Sequence, residues 1–124
     1  MKLKTLFIIH SVITAAAGLV LIISPDLIPA TVGIELQSGQ HLLCYLLGAS
    51  EIALAFLSWF AAGLTDEKSL RLICYTFILF HSVTAMAELL AYSQGLTPKI
   101  FANVVLRALI VFLFYMFGIR RNKI

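Results

Sequence analysis

The chain has 124 residues, 61% of them hydrophobic and only 12% charged, with a mean hydropathy of +1.02. Soluble domains carry roughly 25% charged residues, so this composition excludes an ordinary water-soluble globule. The formal net charge of +3 sits around apolar stretches instead of forming a patch, which removes it as a nucleic-acid signal. The length admits one membrane domain and no separate soluble one. Lipid would leave the edges of an open sheet unpaired at several kcal/mol per group, so the expected class is all-α.

Four apolar stretches are expected to span the membrane, over residues 5–24, 42–64, 70–93 and 100–119. Each is close to the ~20 residues a helix needs to cross ~30 Å of hydrocarbon. The first begins with Lys2 and Lys4, and Ala15 and Ala17 stand in the arrangement of a signal-peptide cleavage site. The apolar run continues to Ile23, however, so an uncleaved helix is expected. His10, Thr14, Ala17 and Ser24 are its polar or small residues. The following loop, residues 24–40, contains Pro25, Pro29, Gly33 and Gly39, and its apolar middle, 27–34, predicts a short interfacial helix.

In the second span His41, Cys44, Gly48, Glu51, Ala55, Ser58 and Ala62 follow alternating steps of three and four, and so share one helical face. All are small or polar. In lipid that is the face expected to pack on other helices, because close backbone approach and interhelical hydrogen bonds replace the hydrophobic effect. After a short loop at 65–69, the third span repeats the stripe with Cys74, His81, Thr84, Glu88, Ala91 and Gly95. A second short loop, 93–98, leads to the fourth span, with Asn103, Arg107 and Gly118. Short connections make sequential helices antiparallel neighbours, which predicts an up-down four-helix bundle. Phe56, Trp59, Phe112, Phe114 and Tyr115 are expected to face lipid or its interface.

Basic residues set the orientation. Lys2, Lys4, Lys68, Arg71, Arg120, Arg121 and Lys123 fall on one side and Lys99 on the other, so both termini are expected in the cytoplasm of an inner-membrane, multi-pass protein. Cys44 and Cys74 lie near opposite membrane faces, too far apart for a disulfide, and no metal-ligand spacing exists.

Ionisable groups at membrane depth cost roughly 2.5–3.5 kcal/mol each on insertion scales and are functional candidates by default. The candidates for a ligand or proton site are Glu51, Glu88, Arg107, His81, His10 and Asn103. Counted from the outer helix ends, Glu88 and Arg107 lie level at ~10 Å, Glu51 at ~15 Å and both histidines at ~21 Å. Glu88 and Arg107 should therefore pair, with Glu51 in reach of the guanidinium. One arginine cannot neutralise two carboxylates, so one of the two acids is expected to keep its proton. His10-Ser11-Val12 recurs as His81-Ser82-Val83, a weak internal repeat. Two histidines at one depth could serve as axial ligands of a haem, but a membrane histidine is more often hydrogen-bonded in the core, and no cofactor is expected.

Two segments give a resemblance: Gly18-Leu19-Val20-Leu21-Ile22-Ile23-Ser24-Pro25, closing the first span, and Leu46-Leu47-Gly48-Ala49-Ser50-Glu51 in the second. Together with the length and span count, they resemble the small four-helix bacterial membrane proteins of the DoxX-like group. That resemblance implies an integral membrane protein, in some relatives a small subunit of a quinone-linked oxidoreductase; no residue here matches a known catalytic motif, so it carries over no catalytic assignment. Small multidrug transporters share the size but rely on a Glu in the first helix, which this chain lacks. Two functions remain open. The chain binds or moves a small polar or protonatable ligand, or it is a non-catalytic accessory subunit of a larger, redox-linked membrane complex. The expected partners are the lipid bilayer and either a second copy or another membrane subunit.

Overall fold

The computed structural model describes residues 1–120 and is helical throughout those residues apart from turns and connections. Arg121 and Lys123, which entered the orientation argument, lie outside the described residues. Four helical stretches are long and apolar enough to cross a membrane: Leu3–Ile23, Ser38–Ala61, Glu67–Ser93 and Pro98–Arg120. They belong to two compact units, one formed by Phe7–Ala62 and the other by Met1–Leu6 with the chain from Gly63 onward.

In the unit of Phe7–Ala62, α1 (Leu3–Ile23) and α3 (His41–Ala61) are joined through α2 (Leu27–Thr31) and a single 3-10 turn, Ser38–Gln40. As the residue number rises along α1 its partner on α3 falls: Phe7 meets Ser58, Ser11 meets Ala55 and Gly18 meets Gly48. The two helices are therefore antiparallel. The buried face of α3 is Cys44, Gly48, Glu51, Ala55, Ser58 and Ala61. Opposite it, α1 buries Phe7, His10, Ser11, Thr14 and Leu21. Two hydroxyls tie the pair together, with Ser11 Oγ donating to the Ala55 carbonyl at 2.9 Å and Ser58 Oγ to the Phe7 carbonyl at 2.8 Å. Helix α2 is the short helix expected between residues 27 and 34. It closes in a Schellman turn, Gly33 N–H to Ala30 and Ile34 N–H to Pro29, which requires the left-handed φ of +75° that Gly33 supplies.

In the second unit α4 (Glu67–Ser93) packs on α5 (Phe101–Phe114), again antiparallel: Cys74 faces Gly118, Phe77 faces Phe114, Glu88 faces Arg107 and Tyr92 faces Phe101. The chain leaves α5 as a π-helical segment, Tyr115–Arg120. Gly118 is buried there, and a Cβ on it would clash with the Cys74 side chain.

Several expectations are corrected by these packings. Phe114 does not face lipid; it is fully buried with its ring 5.1 Å from that of Phe77, a tilted aromatic pair of roughly 0.5–1.5 kcal/mol. Phe56, Trp59, Phe112 and Tyr115 are exposed. His41 leaves the α3 stripe to pair with Asp26, and Ser24 and Gly95 are exposed at helix ends. Helix α4 starts at Glu67 rather than within the span expected from residue 70, because Asp66 caps it.

Candidate functional site

The fold places the six candidate residues in two groups. Glu88 and His81 lie on α4 two turns apart on one face, and Arg107 comes to them from α5. Arg107 Nε donates to Glu88 Oε1 at 2.9 Å, and both side chains are mostly buried, 16% and 14% exposed. Such a pair is no surface bridge of 0.2–1 kcal/mol. Removed from water, each charge needs the other.

Arg107 Nη1 reaches His81 Nδ1 at 3.4 Å. A guanidinium only donates, so Nδ1 of His81 is the acceptor and carries no hydrogen in this arrangement. The Thr84 hydroxyl on the same helix is taken by the Phe80 carbonyl, four residues back, at 2.7 Å. That leaves the second oxygen of Glu88: Oε2 is shut off from the surface yet accepts no hydrogen bond from any described group. Asn103, one turn before Arg107 on α5, is half-buried, and its amide has no side-chain partner among the described residues.

His10 and Glu51 belong to the other unit. His10 is 5% exposed, with Nδ1 3.1 Å from Ser58 Oγ. The Ser58 hydroxyl has one hydrogen and gives it to the Phe7 carbonyl, so it can only accept from His10. Nδ1 of His10 therefore carries a hydrogen. The repeated His-Ser-Val segments thus hold their histidines in opposite roles, a donor at His10 Nδ1 and an acceptor at His81 Nδ1. Glu51 is 7% exposed on the buried face of α3, between Gly48 and Ala55.

Two polar features were not anticipated. Ser11 is an inward group, legible only through the step of three or four that links it to Thr14 and Gly18. The other is a pair at the start of α3, where His41 Nε2 lies 3.0 Å from Asp26 Oδ1 and ties the residue before α2 to α3. Cys44 and Cys74 are buried free thiols. No group of three or more metal-ligand side chains exists among the described residues. Set against family models, curated proteins and solved structures, the chain matches none of them.

Proposed function

We propose that this chain is a multi-pass inner-membrane protein, an up-down four-helix bundle with both termini cytoplasmic, that binds or moves a small polar or protonatable ligand. Its working groups in this reading are Glu51, Glu88 and Arg107, assisted by His10, His81 and Asn103. The observation that carries it is the buried Glu88 Oε2, an acceptor without a donor, on a carboxylate whose other oxygen is held by Arg107 Nε. A cluster serving only to fix helix register would be expected to close its own hydrogen bonds, since an unmet buried acceptor costs ~1–3 kcal/mol. The DoxX-like resemblance belongs to this reading. Its two segments contribute Gly18 and Gly48, which touch, so close helix crossing gives a physical reason for glycine in both.

A thermal-shift screen of small polar solutes on the detergent-solubilised protein tests the ligand. At least one solute should raise the melting temperature of wild type and lose that effect in Glu88→Gln and Arg107→Ala. A screen in which every solute acts equally on all three proteins sinks the reading. The orientation has its own test. Single cysteines at Gln37 and Gln94 should react with an impermeant thiol reagent from outside intact cells, and one at Thr65 should not.

The second reading, an accessory subunit of a redox-linked complex, draws on the uncovered side of α5. Val105, Leu106, Leu109 and Phe112 there are all about half exposed or more, a surface for lipid or a partner helix. Co-purification with a larger enzyme, or a haem absorbance band lost on His10→Ala or His81→Ala, would favour it.

A further inference from the structure

The Glu88–Arg107 pair is only half of a fork. A guanidinium presents Nε and Nη2 along one edge, a spacing matched to the two oxygens of a carboxylate. Here Nε takes Oε1, while Nη1 on the other edge turns to His81. Among the described residues, Oε2 receives no hydrogen bond and none leaves Nη2. An acceptor and a donor therefore remain unmet on the two residues of this one ion pair. The Asn103 amide, unpartnered, lies one turn or ~6 Å along α5.

From this juxtaposition we infer that the α4–α5 hairpin binds a neutral, hydroxyl-bearing molecule. Its oxygen accepts from Arg107 Nη2 and donates its hydrogen to Glu88 Oε2, and Asn103 serves a polar group a turn further along. The inference rests on the ligand-binding reading above and narrows it to one chemical class. Charge balance selects the class. Glu88 and Arg107 cancel, so an ion bound here would bring an uncompensated charge to membrane depth. An ammonium could serve Oε2 but has no lone pair for Nη2. An anion could serve Nη2 but would face Oε2 with like charge. A hydroxyl does both with one atom. The hydroxyl could belong to a free alcohol or phenol or to a neutral lipid such as a diacylglycerol.

The test uses the full chain in phosphatidylcholine nanodiscs, with isotope-labelled arginine and glutamate, followed by solid-state NMR at the Arg107 guanidinium and the Glu88 carboxyl. The probes are 1-octanol as the free source, dioleoylglycerol as the lipid source, octyltrimethylammonium as a cation with no hydrogen to donate, and octane. A saturable shift of both signals with 1-octanol, dioleoylglycerol or both supports the inference and says which source fits. Half-saturation read at Arg107 should rise about tenfold in Glu88→Gln, the loss of one hydrogen bond to a charged acceptor. Asn103→Leu, which leaves the ion pair intact, should also weaken binding. If octyltrimethylammonium shifts the signals and the hydroxyl probes do not, a ligand site stands but its chemical class is wrong. If no probe moves either signal, or octane moves them as much as octanol, water alone completes the fork and this inference fails. The solute screen then decides the broader reading separately.

Discussion

Gly18 and Gly48 meet backbone to backbone: a Cβ on Gly18 would lie 2.8 Å from the Gly48 carbonyl oxygen, and one on Gly48 would lie 2.8 Å from that of Gly18. The contact is reciprocal because α1 and α3 are antiparallel and cross at this point. A backbone carbonyl cannot swing aside as a side-chain tip can, so any larger residue must push the helices apart. In lipid the helices are held by close packing and hydrogen bonds, not by the hydrophobic effect. Separation at residue 18 would also strain the Ser11–Ala55 hydrogen bond two turns away.

Gly18→Ala and Gly48→Ala should each destabilise the protein by about 1–3 kcal/mol, the usual cost of overpacking. The double variant should lose less than the sum, because the first substitution already opens the crossing that the second would need. Thermal or denaturant unfolding in detergent measures this. Two alanine variants as stable as wild type would mean that the helices do not approach this closely.

Arg107 should matter more than either acid considered singly. Removing one partner of a buried pair costs roughly 3–5 kcal/mol in soluble proteins, and less in membranes, where polar groups find other partners in the unfolded state. Arg107→Ala strands the Glu88 carboxylate and removes the donor to His81 Nδ1. Glu88→Gln keeps an oxygen for Nε and should be much milder. An Arg107→Ala protein that melts with wild type would show the guanidinium reaching the surface instead.

How legible was this from sequence? The inward face of α3 could be read almost completely, because a step of three and four in small and polar residues has only one helical solution. The level placement of Glu88 and Arg107 followed from helical rise and a short loop, with no knowledge of side chains. Phe114 could not be read. Periodicity gives a face, but whether a phenylalanine turns to lipid or to Phe77 depends on Gly118 lying flat against Cys74 one turn later, inside a π-helical segment no pattern announces. The Asp26–His41 pair was equally hidden, since it joins a turn to a helix across fifteen residues. The start of α4 was readable but missed: Asp66 followed by Ser69 is the spacing of a helix cap.

That cap makes a prediction with a sign. Asp66 accepts from the Ser69 backbone N–H at 2.8 Å and from its hydroxyl at 2.6 Å. The Ser69 hydroxyl, then its backbone N–H, hold the carboxyl below its ordinary value of 3.8. A depressed carboxyl contributes stability that is complete above its unfolded value and is lost as pH falls through the folded one. The start of α4 should therefore be indifferent to pH near neutrality and fray below about pH 4. In Asp66→Asn, which still caps but does not ionise, that acid limb should vanish. Amide exchange at Leu70, whose N–H bonds the Asp66 carbonyl, reports on it. Acid fraying that persists unchanged in Asp66→Asn would assign it to another group.

The two histidines offer the sharpest check on the polar geometry, because their roles follow from which partner can donate. Ser58 has given its only hydrogen to Phe7, so His10 Nδ1 must bear one. Arg107 has no lone pair to offer, so His81 Nδ1 must not. Nitrogen-15 spectra of histidine-labelled protein near neutral pH should show a protonated-type Nδ1 for His10 and an unprotonated-type Nδ1 for His81, assigned by replacing each in turn. Ser58→Ala removes the acceptor for His10 Nδ1 and should shift the His10 Nδ1 signal while leaving that of His81 unchanged. Arg107→Lys puts a shorter-reaching point charge in place of the planar guanidinium, and should shift His81 while leaving His10 alone. Identical tautomers at both positions, or a His81 signal blind to Arg107, would break the chain of donors and acceptors on which the candidate site is built.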